Sequence, residues 1–312
     1  MSRQDIEAAA ARFAPHEGAF LRRTPLWKLP GAAFGVACGE VWLKLEHLQV
    51  SGSFKARGML NRLLANPIPA AGVIVASGGN AGIATAAAAR RLGVRCEVIV
   101  PTLCSPAKQA RLRELGAQVV VGGDAYSEAL EASMERQRRT GALVTHAYDQ
   151  PEVVAGAGTL AREIEHDGGR PDSVLVSVGG GGLIAGIASW FRREARVVAL
   201  EPELAPTLHA ARAAGSPVDV AVSGVAADSL GARRIGAIAW VVTQSHVTDS
   251  LLLSDAAIRD AQLALWKEFK LAVEPAAALG LAALQTGAYR PAAGEKVCLV
   301  LCGANVDPAT LS

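Results

Sequence analysis

Ser173-Val174-Leu175-Val176-Ser177-Val178-Gly179-Gly180-Gly181-Gly182-Leu183 runs from a β-branched stretch through four glycines into an apolar, Ala-containing segment. Its periodicity predicts a buried strand over 173–178, a helix over 183–194 and a further strand over 197–201. Strand, helix and strand in that order make a crossover between parallel neighbours. The alternation continues outward in both directions. On the N-terminal side, strands are expected over 41–45, 73–76, 96–100, 118–121 and 143–145, with helices over 83–92, 106–115 and 126–139. On the C-terminal side, strands are expected over 239–242 and 296–301. The opening residues 2–20 carry helical spacing, with Ile6, Ala9, Ala10 and Phe13 on one face. The pattern predicts an α/β fold of open parallel sheets covered by helices. A chain of 312 residues has room for two lobes. These are expected to be interleaved, with a small α/β unit over 50–147 inserted into a larger one made of 1–49 and 148–312.

Composition narrows the class. Hydrophobic residues make up 51% of the chain and aromatic residues only 4%, so the core is built from Ala, Val, Leu and Ile. The net charge is +2, and the basic pairs Arg22-Arg23, Arg90-Arg91 and Arg233-Arg234 stand apart from one another. Nucleic acid or anionic lipid would call for a concentrated basic stripe instead. The five cysteines (Cys38, Cys96, Cys104, Cys298, Cys302) form no CxxC and no even framework, as in a reducing compartment. Asp5, Glu7 and Glu17 argue against a transit peptide. No apolar stretch reaches the roughly 18 residues of a membrane span. The expectation is a cytoplasmic protein without nucleic-acid or membrane partners.

Four successive glycines remove every Cβ that would keep an anion from the backbone. Gly179, Gly180, Gly181 and Gly182 therefore read as a phosphate cradle at a helix N-terminus. The same stretch also fits a dinucleotide fingerprint, Gly180-x-Gly182-x-x-Ala185, with Glu201 about 20 positions on as a ribose ligand. A second loop, Ser77-Gly78-Gly79-Asn80-Ala81-Gly82, lies between another strand and an Ala-rich helix. One loop can take a phosphate and the other a carboxylate. Lys55, in Ser51-Gly52-Ser53-Phe54-Lys55, is then a candidate nucleophile, because a buried lysine has a lowered pKa and can form an imine with a carbonyl cofactor.

Taken together, these segments resemble the fold-type II pyridoxal-phosphate enzymes, and within them the serine/threonine dehydratase (threonine ammonia-lyase) group. The resemblance runs from about Thr24 to Asn305. It rests on Glu46-x-Leu48-Gln49-x-x-Gly52-Ser53-Phe54-Lys55-x-Arg57-Gly58, the two glycine loops, Glu274-Pro275 and Leu301-Cys302-Gly303-Ala304-Asn305. It implies two interleaved α/β domains of the tryptophan synthase β type, pyridoxal 5′-phosphate as cofactor, an amino-acid substrate and a homodimer. It also implies that Lys55 carries the cofactor as a Schiff base and removes the substrate's Cα proton. Gly179, Gly180, Gly181 and Gly182 would hold the phosphate, Phe54 and Asn80 would contact the ring, and Cys302 would face the ring nitrogen. Ser77, Asn80 and Ala81 would receive the substrate carboxylate.

Two details refine the expected chemistry. A thiol, with an ordinary pKa of about 8.5, cannot keep a ring nitrogen protonated as a carboxylate could. That favours elimination over chemistry needing a long-lived carbanion. Racemases of the group place a serine where this chain has Gly78, and a glycine has no proton to give. The expected activity is β-elimination from L-serine, L-threonine or another 3-hydroxy amino acid, with racemisation, β-replacement and nicotinamide-dependent oxidoreduction as alternatives. Glu201, Ala205 and Thr207 resemble the group's cation loop. With Thr207 where divalent-binding relatives have Asp, a monovalent ion such as K+ is expected ahead of Mg2+. His47, His146 and His209 show no metal spacing. The substrate side chain is expected near 224–231 and Tyr148.

Overall fold

Strand pairing divides the alternating elements into two sheets. The structure, a computed structural model, describes residues 1–102, 104–123 and 126–311, with Tyr126 and Ser127 described by backbone alone. Helix α1 (Arg3–Phe13) leads to strands β1 (Leu26–Pro30) and β2 (Glu40–Lys44) and helix α2 (Lys55–Leu64). Next come β3 (Val73–Ala76), α3 (Asn80–Leu92), β4 (Cys96–Val100), α4 (Pro106–Glu114), β5 (Gln118–Val121), α5 (Tyr126–Thr140) and β6 (Leu143–Thr145). Helix α6 (Pro151–Gly168) is followed by β7 (Ser173–Ser177), α7 (Gly182–Phe191), β8 (Arg196–Pro202), α8 (Thr207–Ala214) and α9 (Ala237–His246). The chain closes with β9 (Val247–Leu253), α10 (Asp255–Phe269), α11 (Pro275–Gln285) and β10 (Lys296–Val300).

Strands β3 to β6 form a four-stranded parallel sheet in the order β5-β4-β3-β6. The other six make a sheet in the order β1-β2-β10-β7-β8-β9. Strands β7 and β3 are buried along their whole length, as strands covered on both faces must be. The largest apolar cluster surrounds the six-stranded sheet, and separate clusters cover the two faces of the smaller one.

Three expectations need correction. The edge strand β1 runs antiparallel to β2, pairing Leu26 with Lys44, so the larger sheet is mixed. The opening helix stops at Phe13, and Ala14-Pro15-His16 forms a 3-10 turn, since proline offers no amide to continue the helix. Residues 239–242, expected as a strand, lie in α9. Ala239, Val242 and Thr243 are buried there at helical spacing while Val241 is 67% exposed. The Asp149 carboxylate holds the start of α9, accepting from Ala237 N at 2.9 Å and Ile238 N at 3.0 Å. The strand beside β8 is instead β9.

A buried ionic cluster ties the two sheets' units together. Arg57 on α2 meets Glu46 at 2.5 Å and Glu163 on α6 at 2.6 Å, and Lys44 on β2 meets Glu163 at 2.8 Å. Helices α2 and α6 cross tightly beside it, and a Cβ on Gly156 would lie 2.5 Å from the Arg57 carbonyl oxygen. Among the described residues no helix is long and apolar enough to cross a membrane.

Candidate active site

Lys55 is held in place by the end of β10. Phe54 N donates to Cys302 O at 3.0 Å, Ala304 N donates to Gly52 O at 2.8 Å, and Ser53 forms a bridge with Gly303. The preceding turn is sharp enough to put Ser51 at φ +66°, a left-handed conformation uncommon outside glycine. Lys55 then opens α2, with Nζ 2.6 Å from the Ala147 carbonyl oxygen and 4.9 Å from the Phe54 ring centre. Burial pushes its amine down to about 8, with Cys302 and Glu274 pulling the other way. Cys302 is buried beside it, and burial raises its thiol well above the ordinary range, so it stands as a neutral group.

Two adjoining cavities share Lys55, Asn80, Tyr148 and Gly180. The narrower one is lined by Phe54, Lys55, the four glycines, Glu274 and Cys302. No side chain caps the start of α7, so the first amides of the helix are offered at the glycine loop. The loop has no spare room. A Cβ on Gly180 would lie 2.3 Å from the Tyr148 ring, and Gly181 adopts φ +87°. This cradle, beside a lowered lysine and a neutral thiol, fits a phosphorylated carbonyl cofactor. The wider cavity, about 360 Å³, is lined by Ser77, Gly78, Gly79, Asn80 and Ala81 on one side and by residues 227–232 on another. The start of α3 is likewise free of a side-chain cap, leaving amides for a carboxylate. Tyr148 and residues 227–232 thus line the same cavity as the 77–81 loop.

Two lining residues, Lys108 and Cys104, carried no signal in the sequence, whereas Asp228 falls within the 224–231 segment. Lys108 and Asp228 form an ion pair at the wider cavity, and both belong to its wall. Cys104 also lines it, and its Sγ lies 2.5 Å from where a Gly78 Cβ would be. A thiol from another element therefore fills the space of the missing side chain. The Glu274-Pro275 pair, expected near the cofactor or at a helix start, begins α11, and Glu274 is buried beside Asn80, with burial raising its carboxyl to about 7.

Glu201, Ala205 and Thr207 do come together, but as a helix cap. Glu201 accepts from Leu208 N at 2.7 Å, His209 N at 2.8 Å and Ser250 Oγ at 3.0 Å, with Thr207 Oγ1 3.1 Å away. Thr207 N is bonded to the Ala205 carbonyl at 3.2 Å. With both Glu201 oxygens taken by protein donors at the positive end of α8, a cation is not accommodated without displacing them. Nor is Glu201 free for a ribose, which removes the acidic partner of the dinucleotide pattern. Thr207 Oγ1 donates at 2.6 Å to Gly179 O, so the cap also braces the glycine loop. Among the described residues no three His, Cys, Asp or Glu side chains gather as a metal site.

Comparison with known proteins agrees with this geometry. The family described as pyridoxal-phosphate dependent enzyme matches residues 19–303. The L-threonine ammonia-lyase of Thermotoga maritima is 34% identical over 277 residues, 87% of this chain and 69% of that protein. The phenylserine dehydratase of Ralstonia pickettii is 34% identical over 304 residues, 94% of this chain and 91% of that protein. A solved threonine deaminase from T.th. superposes with a TM-score of 0.89 at 35% identity, covering 98% of this chain and 99% of its own. Maize serine racemase superposes with a TM-score of 0.91 at 28% identity, covering 99% and 95%.

Proposed function

The chain belongs to the pyridoxal-phosphate dependent enzymes, and on that premise we propose that it dehydrates and deaminates a 3-hydroxy amino acid such as L-threonine or L-serine. The observation that carries this reading is the place of Lys55. Its amine, lowered to about 8, stands where the glycine-loop cavity meets the cavity of the 77–81 loop. Bound pyridoxal phosphate supplies the electron sink for charge left at Cα. The chain's own groups do the rest. The amides at the start of α7 hold the phosphate, and those at the start of α3 hold the substrate carboxylate and so orient Cα. Lys55 takes the Cα proton as general base. The bond from Cβ to the hydroxyl then breaks, water leaves, and the enamine hydrolyses to a 2-oxo acid and ammonia. The neutral thiol of Cys302, which would face the ring nitrogen, would favour this elimination over a lasting carbanion.

A racemase reading has one observation in its favour. The Cys104 thiol fills the space of a Gly78 side chain and is itself raised by burial, so it holds a proton at neutral pH. Assays across L-threonine, L-serine, phenylserine and 3-hydroxyaspartate decide between the two. The dehydratase reading expects 2-oxo acid and ammonia in equal amounts. D-serine formed from L-serine without oxo acid, and lost in Cys104→Ala, would overturn it.

The same reading makes the protein a cytoplasmic homodimer with lobes at 1–49 plus 148–312 and 50–147. Free cysteines throughout support the compartment, and the separate sheets support the lobes. Sedimentation of the holoenzyme tests the dimer.

A further inference from the structure

Asn80 belongs to the first turn of α3, yet its side chain bonds to the other unit. Its Nδ2 donates to both oxygens of Glu274, each at 3.0 Å. Its Oδ1 accepts from Asn305 Nδ2 at 2.6 Å, and the same Asn305 nitrogen donates to the Ser51 carbonyl at 2.9 Å. An amide can turn over only where its neighbours tolerate exchange of oxygen and nitrogen. Here they do not. The Ser51 carbonyl can only accept, which fixes the Asn305 nitrogen inward and calls for an oxygen from Asn80. An ionised Glu274 can only accept, which calls for the nitrogen of Asn80 on its side. The two constraints come from different segments and agree.

Glu274 is itself held firmly. It precedes Pro275 at the start of α11, its amide donates to Gly303 O at 3.0 Å, and a Cβ on Gly303 would lie 2.3 Å from its Oε1. Asn80 lines both cavities, and its Nδ2 carries two protons. We propose that Glu274 is a positioning residue that locks the Asn80 amide so that an N–H, not the carbonyl oxygen, is presented to the phenolic oxygen of pyridoxal phosphate. This rests on the cofactor reading above. The titratable and charged groups facing Glu274 are Asp228, Lys55 and Cys302. Burial, with a smaller contribution from Asp228, raises its carboxyl to about 7, against the Asn80 and Asn305 hydrogen bonds and Lys55. Above that pH it is an acceptor alone, while below it a carboxyl proton could serve Asn80 Oδ1 and only the Asn305 contact would hold the orientation.

A double-mutant cycle in cofactor binding tests this. Apo-protein is titrated with pyridoxal phosphate at pH 8, following protein fluorescence and the absorption band of the bound cofactor, for wild type, E274Q, N80A and the double variant. A Gln at 274 can offer an amide proton to Asn80 Oδ1, so E274Q is expected to weaken binding about tenfold, the scale of one hydrogen bond to a charged group, and to shift the band. E274D, which keeps the carboxylate, is expected to recover part of the loss. In the N80A background E274Q should change affinity by less than about twofold, because its effect runs through Asn80. Equal losses in both backgrounds, or no loss in E274Q, would overturn the proposal. Thermal melts of the apo-proteins report folding; should E274Q fail to fold, Asn305→Ala enters the same cycle with the same expectation. A wild-type protein that takes up no pyridoxal phosphate would instead defeat the functional reading.

Discussion

For Lys55 the decisive quantity is how readily its amine loses a proton. Burial places that step near pH 8 instead of 10.5. The protonated form is not nucleophilic, so the reactive fraction grows as pH rises through about 8 and levels off above it. The rate at which apo-protein takes up pyridoxal phosphate, read as borohydride-trapped cofactor, should follow that curve. A rate still climbing at pH values well above 8 would show that the amine is not desolvated. The candidacy of Lys55 was legible because its segment has a distinctive residue order. Its environment was legible only in part: the resemblance placed Cys302 at the cofactor, but the Ala147 carbonyl that holds the amine lies far away in sequence and carries no motif. Cys104 is the clearest case. A reading of Gly78 alone reports a missing side chain, and only the fold shows a thiol in that space.

At the scale of elements, both glycine loops obey one rule: a strand ends, glycines bring the backbone close, and a helix starts without a side-chain cap. The rule was readable because glycine runs and strand periodicity are local. Helix α9 and strand β9 were not, because Ala237-Ile238-Ala239-Trp240-Val241-Val242 has a β-rich composition. The distant Asp149 caps this segment as a helix, and packing overrides propensity there. The helix cap at Glu201 was not legible for a related reason: a carboxylate near a turn looks alike in sequence whether amides or an ion satisfy it. The glycine loop yields a direct prediction. Gly180→Ala places a methyl 2.3 Å from the Tyr148 ring, so ring or loop must move. Cofactor affinity should fall at least about tenfold, on the scale of the strain from overpacking, with the titration of apo-protein as the measurement. Unchanged affinity would mean that the loop is looser than its packing indicates.

Across the whole molecule, the two sheets are joined where α2 and α6 cross, and Arg57 is the buried centre of that joint. Removing it leaves Glu46 and Glu163 with Lys44, Thr24 and Gln49 as their remaining partners. Arg57→Met should therefore cost about 3–5 kcal/mol in urea unfolding of apo-protein. By contrast, Arg196→Ala at the half-exposed Arg196–Asp249 pair should cost under about 1 kcal/mol. Comparable losses would show that the buried cluster is not what joins the units. The alternation of strands and helices made an α/β fold legible, but not the antiparallel edge pair, because β1 and β2 are two short strands without the crossover that marks the others. The joint matters to function because Lys55 lies two positions before Arg57 on the same helix, so whatever fixes the helix also fixes the amine.

The most direct test is the absorption spectrum of purified protein reconstituted with pyridoxal phosphate, before and after borohydride, in wild type and Lys55→Ala. The wild type should be yellow, with a band that borohydride bleaches and label retained on the peptide containing Lys55. The variant should show no bleachable protein-bound band. An unchanged bleachable band in Lys55→Ala would contradict the account at its centre.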